Sequence, residues 1–262
     1  MSTGFDPKRV TSPREARLAM RRGEWTGPTN FMVPGYVQCN LVVLPKADAY
    51  DFLVYCQRNP RPCPVIEVTD PGDPEPRLCA PGADLRTDLA RYAVYRDGVC
   101  VEEVTDITRL WREDSVAFLI GSSLTFDAAL IRAGVPLERG VWVLDTAIPT
   151  VPAGRFAGPL VVTMRLMTPA QAIIATQLTT RFPFNHGAPV HVGEPALIGA
   201  DLEHTIFGPP VPSIPEGLMP VFWACGVTPQ RVAMASKLPF MITHRSGHAF
   251  ITDLKADQFC TP

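Results

Sequence analysis

The sequence predicts an α/β fold in which mainly apolar strands carry helices on their faces. Three observations lead there. SVAFLIG (115–121), PLVVTMRLM (159–167) and LMPVFWA (218–224) are nearly continuous apolar runs. Each is followed by a small-residue or Thr-Pro turn, and each turn opens a segment with helical spacing: LTFDAALIR, PAQAIIATQL and TPQRVAMA. Apolar runs without alternation mark strands covered on both faces, and strand-turn-helix repetition marks layered α/β structure.

The elements follow in order. SPREARLAMRRGEW has Ser12 as a cap, Pro13 at the first helical position and Glu15 three residues after the cap, so it starts a helix whose basic face is expected in solvent. TGPTNFMVPGYVQCN breaks at Pro28, Pro34 and Gly35 before the strand LVVLP. ADAYDFLVYCQRN is a helix with Phe52, Leu53 and Cys56 on one face, and PVIEVTD is a strand ended by the turn DPGDPEP. YAVYRDGVCVEEVTDI reads as a hairpin turning at Asp97-Gly98. The stretch 183–217 holds few periodic segments and is expected to be irregular, part of a smaller α+β lobe. The expected organisation is a larger discontinuous domain of residues 1–115 and 215–262, a second lobe of residues 116–214, and a cleft between them.

Composition narrows the function. With 262 residues, 46% of them hydrophobic, the chain can bury a sizeable core. The formal charge of −2 and dispersed Lys and Arg give no basic footprint, so no nucleic-acid partner is expected. No run approaches the roughly 20 apolar residues of a membrane span and the N-terminus shows no apolar signal core, so a cytoplasmic protein without a membrane partner is expected. Seven cysteines without a CxxC pair favour neither a disulfide framework nor a thiolate zinc site. GxGxxG and GxxxxGK[ST] are absent, so no nucleotide cofactor is indicated, and no cofactor of any kind is expected.

Several constellations could carry chemistry. Ser122-Ser123, Thr168-Pro169 and Thr228-Pro229 start helices at strand ends, where unpaired backbone N–H groups suit carboxylates or phosphates; three at one sheet edge would make a ligand cleft. His186 and His191 in NHGAPVHVG, and His244 and His248 in THRSGH, could move protons; with Glu194, the first pair could instead hold a metal, although no metal is assigned. Asp84, Arg86 and Asp88 share a face if DLRTDLARY is extended, making Asp88 a candidate base held near arginine. Arg165 at a strand end and Arg181 after a helix could clamp a carboxylate. Cys225 is either a nucleophile activated by a helix start or a small wall residue.

The strings TNFMVPGYVQCN, NPRPCP, DLRTDLARYAVYRDG, FLIGSSLTFDAAL, NHGAPVHVGEPALIG, VFWACGVTPQ and ITHRSGHAFITDL together resemble the putative hydro-lyase family, bacterial relatives of the N-terminal portion of eukaryotic D-glutamate cyclase, over residues 10 to 255. The resemblance implies a three-layer α/β/α domain joined to a smaller two-layer α+β domain. It also implies a carbon-oxygen lyase acting on a small carboxylate, with conversion of D-glutamate to 5-oxo-D-proline as the activity of the eukaryotic relative, which carries a further C-terminal region. Where relatives show Cys-Ser-Phe-Ser-Phe-Glu, this chain has Ser122-Ser123-Leu124-Thr125-Phe126-Asp127, so Ser122 and Asp127 stand for the family Cys and Glu. The expected set is therefore His186, His191, Asp88 and Asp127 for proton transfer, and Arg86, Arg165, Arg181, Ser122, Ser123, Thr228 and Cys225 for substrate binding. A non-catalytic carboxylate sensor and a metal-dependent hydrolase remain the alternatives, and a homo-oligomer is compatible with either.

Overall fold

The computed structural model describes residues 5–30, 32–211 and 213–261, so the outer limits 1 and 262 of the expected larger domain lie outside the described residues. Two sheets organise the chain. The larger contains β1 (Tyr36–Pro45), β2 (Val65–Val68), β3 (Tyr92–Arg96), β4 (Val99–Val104), β5 (Ser115–Gly121), β10 (Met241–His244) and β11 (Phe250–Lys255). Its order is β2-β5-β1-β10-β3-β4, with β11 also paired to β1. The smaller contains β6 (Trp142–Pro149), β7 (Pro159–Met167), β8 (His191–Val192) and β9 (Met219–Ala224) in the order β6-β7-β9-β8.

The predicted helices form: α1 (Pro13–Arg21), α2 (Lys46–Arg58), α3 (Leu124–Arg132), α4 (Pro169–Thr180) and α5 (Val227–Ala235). Ser12 caps α1 by accepting the Glu15 N–H at 3.2 Å, and Thr168 with Gln171 makes a capping box on α4. The hairpin turns where predicted, with Asp97 and Gly98 both at positive φ, the pair of left-handed residues a two-residue hairpin loop requires. The basic face of α1 differs from expectation. Arg17 is buried, donating to the Ile251 carbonyl at 2.9 Å and to both carboxylate oxygens of Asp253, because α1 lies across β11 and its guanidinium has an acceptor there.

Every strand pairing within the two sheets is antiparallel. The layering is α/β, as expected. On one face of the larger sheet Val42, Leu44, Phe118 and Ile120 pack with Phe52 and Tyr55 of α2 and Val232 and Ala233 of α5. Its other face, with Cys39, Leu41 and Leu119, is covered by the irregular segment around Cys79–Leu89 and by Ile107 and Leu110. The smaller sheet repeats the pattern: Val221 and Trp223 pack under Phe126 and Leu130 of α3 and Ala172 and Ala175 of α4, while Phe222 and Met164 lie under Ile198, which ends a short 3-10 turn, and under Ala200 and Val211. Turn-rich chain buries an apolar face as well as a helix when its own backbone bonds are satisfied locally.

Sheet membership also moves the division expected at 115 and 215. β5 pairs with β1 over seven consecutive residues of the larger sheet, and β9 pairs with β7 over six of the smaller. The chain therefore leaves the larger sheet after Gly121 and returns to it after α5. α3 and α5 occupy these two crossings. Each touches both sheets: the Gln38 N–H of β1 donates to Thr125 Oγ1 of α3 at 3.0 Å, and the Val161 N–H of β7 donates to Thr228 Oγ1 of α5 at 3.0 Å.

Candidate functional site

The three helix starts do not share one edge. β7 and β9 run antiparallel, so the start of α4 after β7 and the start of α5 after β9 fall at opposite ends of the smaller sheet. The starts of α3 and α5 do meet, across Asn40. This buried residue of β1 donates from Nδ2 to the Gly121 carbonyl at 3.2 Å, and a Cβ on Gly226 would collide with the same Asn40 amide. Gly226 is the cap of α5, with ordinary helical φ; a side chain is excluded there by space, not by backbone conformation. The strand end before α3 and the cap position of α5 thus lie on either side of one buried amide.

Below these starts lies a buried ion pair. Arg165 of β7 and Asp127 of α3 are 3% and 5% exposed, with Nη2 to Oδ1 at 2.6 Å. The guanidinium stands over the rings of Phe126 and Trp223 at 5.6 and 5.7 Å from their centroids. Its Nε and Nη1 are buried without a hydrogen-bond partner. Burial raises the Asp127 carboxyl above the usual range, against the opposing pull of Arg165. The carboxylate also borders a narrow pocket lined by Met32, Tyr36, Gln38 and Thr125.

Cys225 sits beside this pair. It is buried, bonded to the Thr163 hydroxyl and the Val227 N–H, and close enough to feel the Arg165 charge. Desolvation nonetheless outweighs these contacts and pushes the thiol up, so the Cys225 sulfur stays protonated. Ser122 is buried and donates its N–H to the Gln38 carbonyl at 2.9 Å; Ser123 caps α3 through its backbone position, without a side-chain cap bond.

The turn Pro183–Asn185 closes over Gly121. A Cβ at Gly121 would strike the Phe184 carbonyl, which is why the strand ends in glycine. Asn185, fully buried, donates from Nδ2 to the Ser122 carbonyl at 3.2 Å and to Thr125 Oγ1 at 3.0 Å. His186 follows at φ 77, buried, its Nδ1 at 2.9 Å from the Arg61 carbonyl. A carbonyl only accepts, so Nδ1 carries the proton; burial pushes the imidazole down to about 4 and keeps it neutral.

Other predicted residues go elsewhere. Asp88 is buried but held by Arg21 of α1, at 2.6 and 2.7 Å, and by the Asp84 N–H; Arg86 chelates Asp84 at 2.8 Å through both Nε and Nη2. The segment is a turn in which these charges satisfy one another, so it is not the extended face expected. Arg181 ends α4 and donates to the Thr261 carbonyl at 3.0 Å. His191 lies on β8 with Nε2 at 2.8 Å from the Glu194 carbonyl, and it does not join His186. Among the described residues no group of three or more His, Cys, Asp or Glu is placed to hold a metal ion. Thr228, expected as a cap, is the second residue of α5, its hydroxyl donating to the Val161 carbonyl at 3.2 Å.

Sequence reasoning passed over Asn40, Thr163 and Asn185. Asn40 had a signal, a lone amide inside the apolar run CNLVVLP. Asn185 had a weaker one, its place beside His186 and Gly187. His244 fills the gap where β1 changes partner from β10 to β11: its Nδ1 accepts the Leu41 N–H at 3.1 Å, with Gln230 Nε2 at 3.0 Å, and burial pushes its imidazole down to about 4.

Comparison with known proteins meets this geometry. A family model described as D-glutamate cyclase matches residues 116–253, the part containing α3, Arg165, Asn185 and Cys225. A protein of Geobacillus kaustophilus named "Putative hydro-lyase" is 54% identical over 253 residues, covering 94% of this chain and 96% of that one. One of the same name from Stutzerimonas stutzeri is 52% identical over 256 residues, covering 95% and 96%, and one from Thermoanaerobacter pseudethanolicus is 53% identical over 249 residues, covering 93% and 94%. With such identity along nearly its whole length, the chain belongs to the D-glutamate cyclase family, alongside the proteins named putative hydro-lyase.

Proposed function

We propose that the protein is a carbon-oxygen lyase acting on a small amino or hydroxy carboxylic acid, with cyclisation of D-glutamate to 5-oxo-D-proline as the specific reaction. One observation carries the reading: a buried arginine with two unpartnered N–H groups, paired to a buried carboxyl of raised pKa, beside two helix starts. In this reading Arg165 receives the α-carboxylate on Nε and Nη1. The positive dipole ends of α3 and α5 polarise the γ-carboxyl.

The chemistry then needs one proton donor and one acceptor. The neutral amine attacks the γ-carboxyl carbon, the nitrogen loses a proton, and the hydroxyl of that carboxyl leaves as water after gaining one. Asp127 suits this exchange because burial keeps its carboxyl able to hold a proton nearer neutral pH than an exposed aspartate could. Cys225 bounds the site and forms no bond to the substrate. His186, neutral and bonded to a carbonyl, holds its turn in place.

The test is direct: purified protein is incubated with D-glutamate and 5-oxoproline is followed. Asp127→Asn is expected to lower kcat by about 10²-fold or more, with binding of D-glutamate retained. Absence of product from D-glutamate and from other small amino and hydroxy acids sinks the lyase reading. Binding without turnover in the unaltered protein would leave a carboxylate sensor instead.

A further inference from the structure

Asn185 is a second unsatisfied group at the same helix. Its amide orientation follows from its neighbours: the Ser122 carbonyl can only accept, so the atom facing it is Nδ2. Oδ1 is then a buried acceptor with no hydrogen-bond partner. Buried unpaired side-chain atoms are rare in folded proteins, and each calls for a reason. Among the described residues there are four, and three of them are Arg165 Nε, Arg165 Nη1 and Asn185 Oδ1. Both residues bond to the stretch 122–127 that starts α3, Arg165 through Asp127 and Asn185 through Ser122 and Thr125. Two cationic donors and one neutral acceptor have the polarity that complements an α-amino acid.

We propose that Asn185 is a specificity-determining residue whose Oδ1 accepts an N–H from the substrate's amino group while Arg165 holds the carboxylate. The inference rests on the lyase reading above and narrows its substrate class to amino acids. An amide carbonyl suits this task better than a carboxylate, because it accepts an N–H while stabilising the ammonium form less, which leaves the nitrogen lone pair more available for attack. Its support is built. Asn185 and Gly187 donate their N–H groups to the Phe182 carbonyl at 2.9 and 3.0 Å, and the Arg61 guanidinium donates to the Ala188 carbonyl at 2.6 Å. Oδ1 is fully buried, so a ligand nitrogen meets it only when the Pro183–Asn185 turn lifts from Gly121.

Calorimetric titration with D-glutamate and with glutarate, which keeps both carboxylates and lacks the amine, tests the assignment. The unaltered protein is expected to prefer D-glutamate at least tenfold. Asn185→Ala should weaken D-glutamate roughly tenfold and leave glutarate within about twofold, the effect of losing one hydrogen bond to a charged or reacting group. Asn185→Asp should widen the preference, since a carboxylate there attracts the ammonium and repels the dianion. Equal weakening of both ligands by Asn185→Ala, or equal binding of both by the unaltered protein, overturns the inference while leaving a carboxylate site. Failure of the unaltered protein to bind either ligand overturns both readings. If Asn185→Ala does not fold, by circular dichroism, the unaltered protein and Asn185→Asp decide.

Discussion

The pair Arg165 and Asp127 is a buried charge held by a single short contact, 2.6 Å, with the rest of the guanidinium unpaired. Buried ion pairs of this kind add little net stability and are expensive to break from one side, so a ligand-binding purpose explains them better than a structural one. The neighbouring thiol gives a sharp expectation: Cys225→Ser should retain kcat within about tenfold, because burial already keeps the sulfur protonated. Complete loss of turnover would restore a thiolate mechanism. Two imidazoles set a second expectation. His186 and His244 both titrate near 4, below the ordinary 6.5, so the unfolded chain takes up protons that the folded chain refuses. Their stabilising contribution is whole above about pH 6.5 and is lost as pH falls towards about 4, at up to about 1.4 kcal/mol per pH unit for each residue. Denaturant midpoints measured at pH 7 and pH 5 should fall accordingly, and His186→Asn should reduce the fall; an identical fall in this variant would show that His186 titrates normally.

At the scale of elements, Gly226 against Asn40 fixes how closely α5 approaches β1. Gly226→Ala should lower the thermal midpoint by several degrees and cut activity at least tenfold, since the added methyl group must displace the buried amide. Combining it with Asn40→Gly should recover much of the midpoint, and a double-mutant cycle measures that coupling. Additive losses would mean that the two residues do not share the space. The individual strands and helices were legible in the sequence because caps, turns and apolar runs are local: Ser12, Thr168 and Asp97-Gly98 each act within a few residues. Partnership was not legible. A strand-turn-helix unit looks the same whether its strand lies in a parallel or an antiparallel sheet, and β5 and β9 declare their sheets only through pairing with β1 and β7. Arg165 was a candidate from its place at a strand end and Asp127 from the family resemblance, yet their bond spans 38 positions, and nothing local links them. Asp88 was attractive for the same local reason, density of charge, and its partner Arg21 lies 67 positions away.

For the whole molecule, α1 acts as a strap. Arg17 reaches β11 and Arg21 reaches Asp88, so one short helix ties the last strand of the larger sheet to the turn at residues 84–88. Arg17→Met keeps the apolar stem but leaves Asp253 and the Ile251 carbonyl without their donor, and should cost about 2–4 kcal/mol of unfolding free energy with little change in kcat. Denaturant titration beside a turnover assay checks it; an equal loss of kcat would tie α1 to the chemistry. No helix among the described residues is long and apolar enough to cross a membrane.

The chain passes between the sheets twice, at Ser122 and at Cys225, and both crossings abut Asn40. Phe156, from the loop between β6 and β7, adds a third tie by burying its ring against Phe52 of α2. The spacing of Asp127 and Arg165 therefore depends on how the two sheets are joined, and not on either sheet alone.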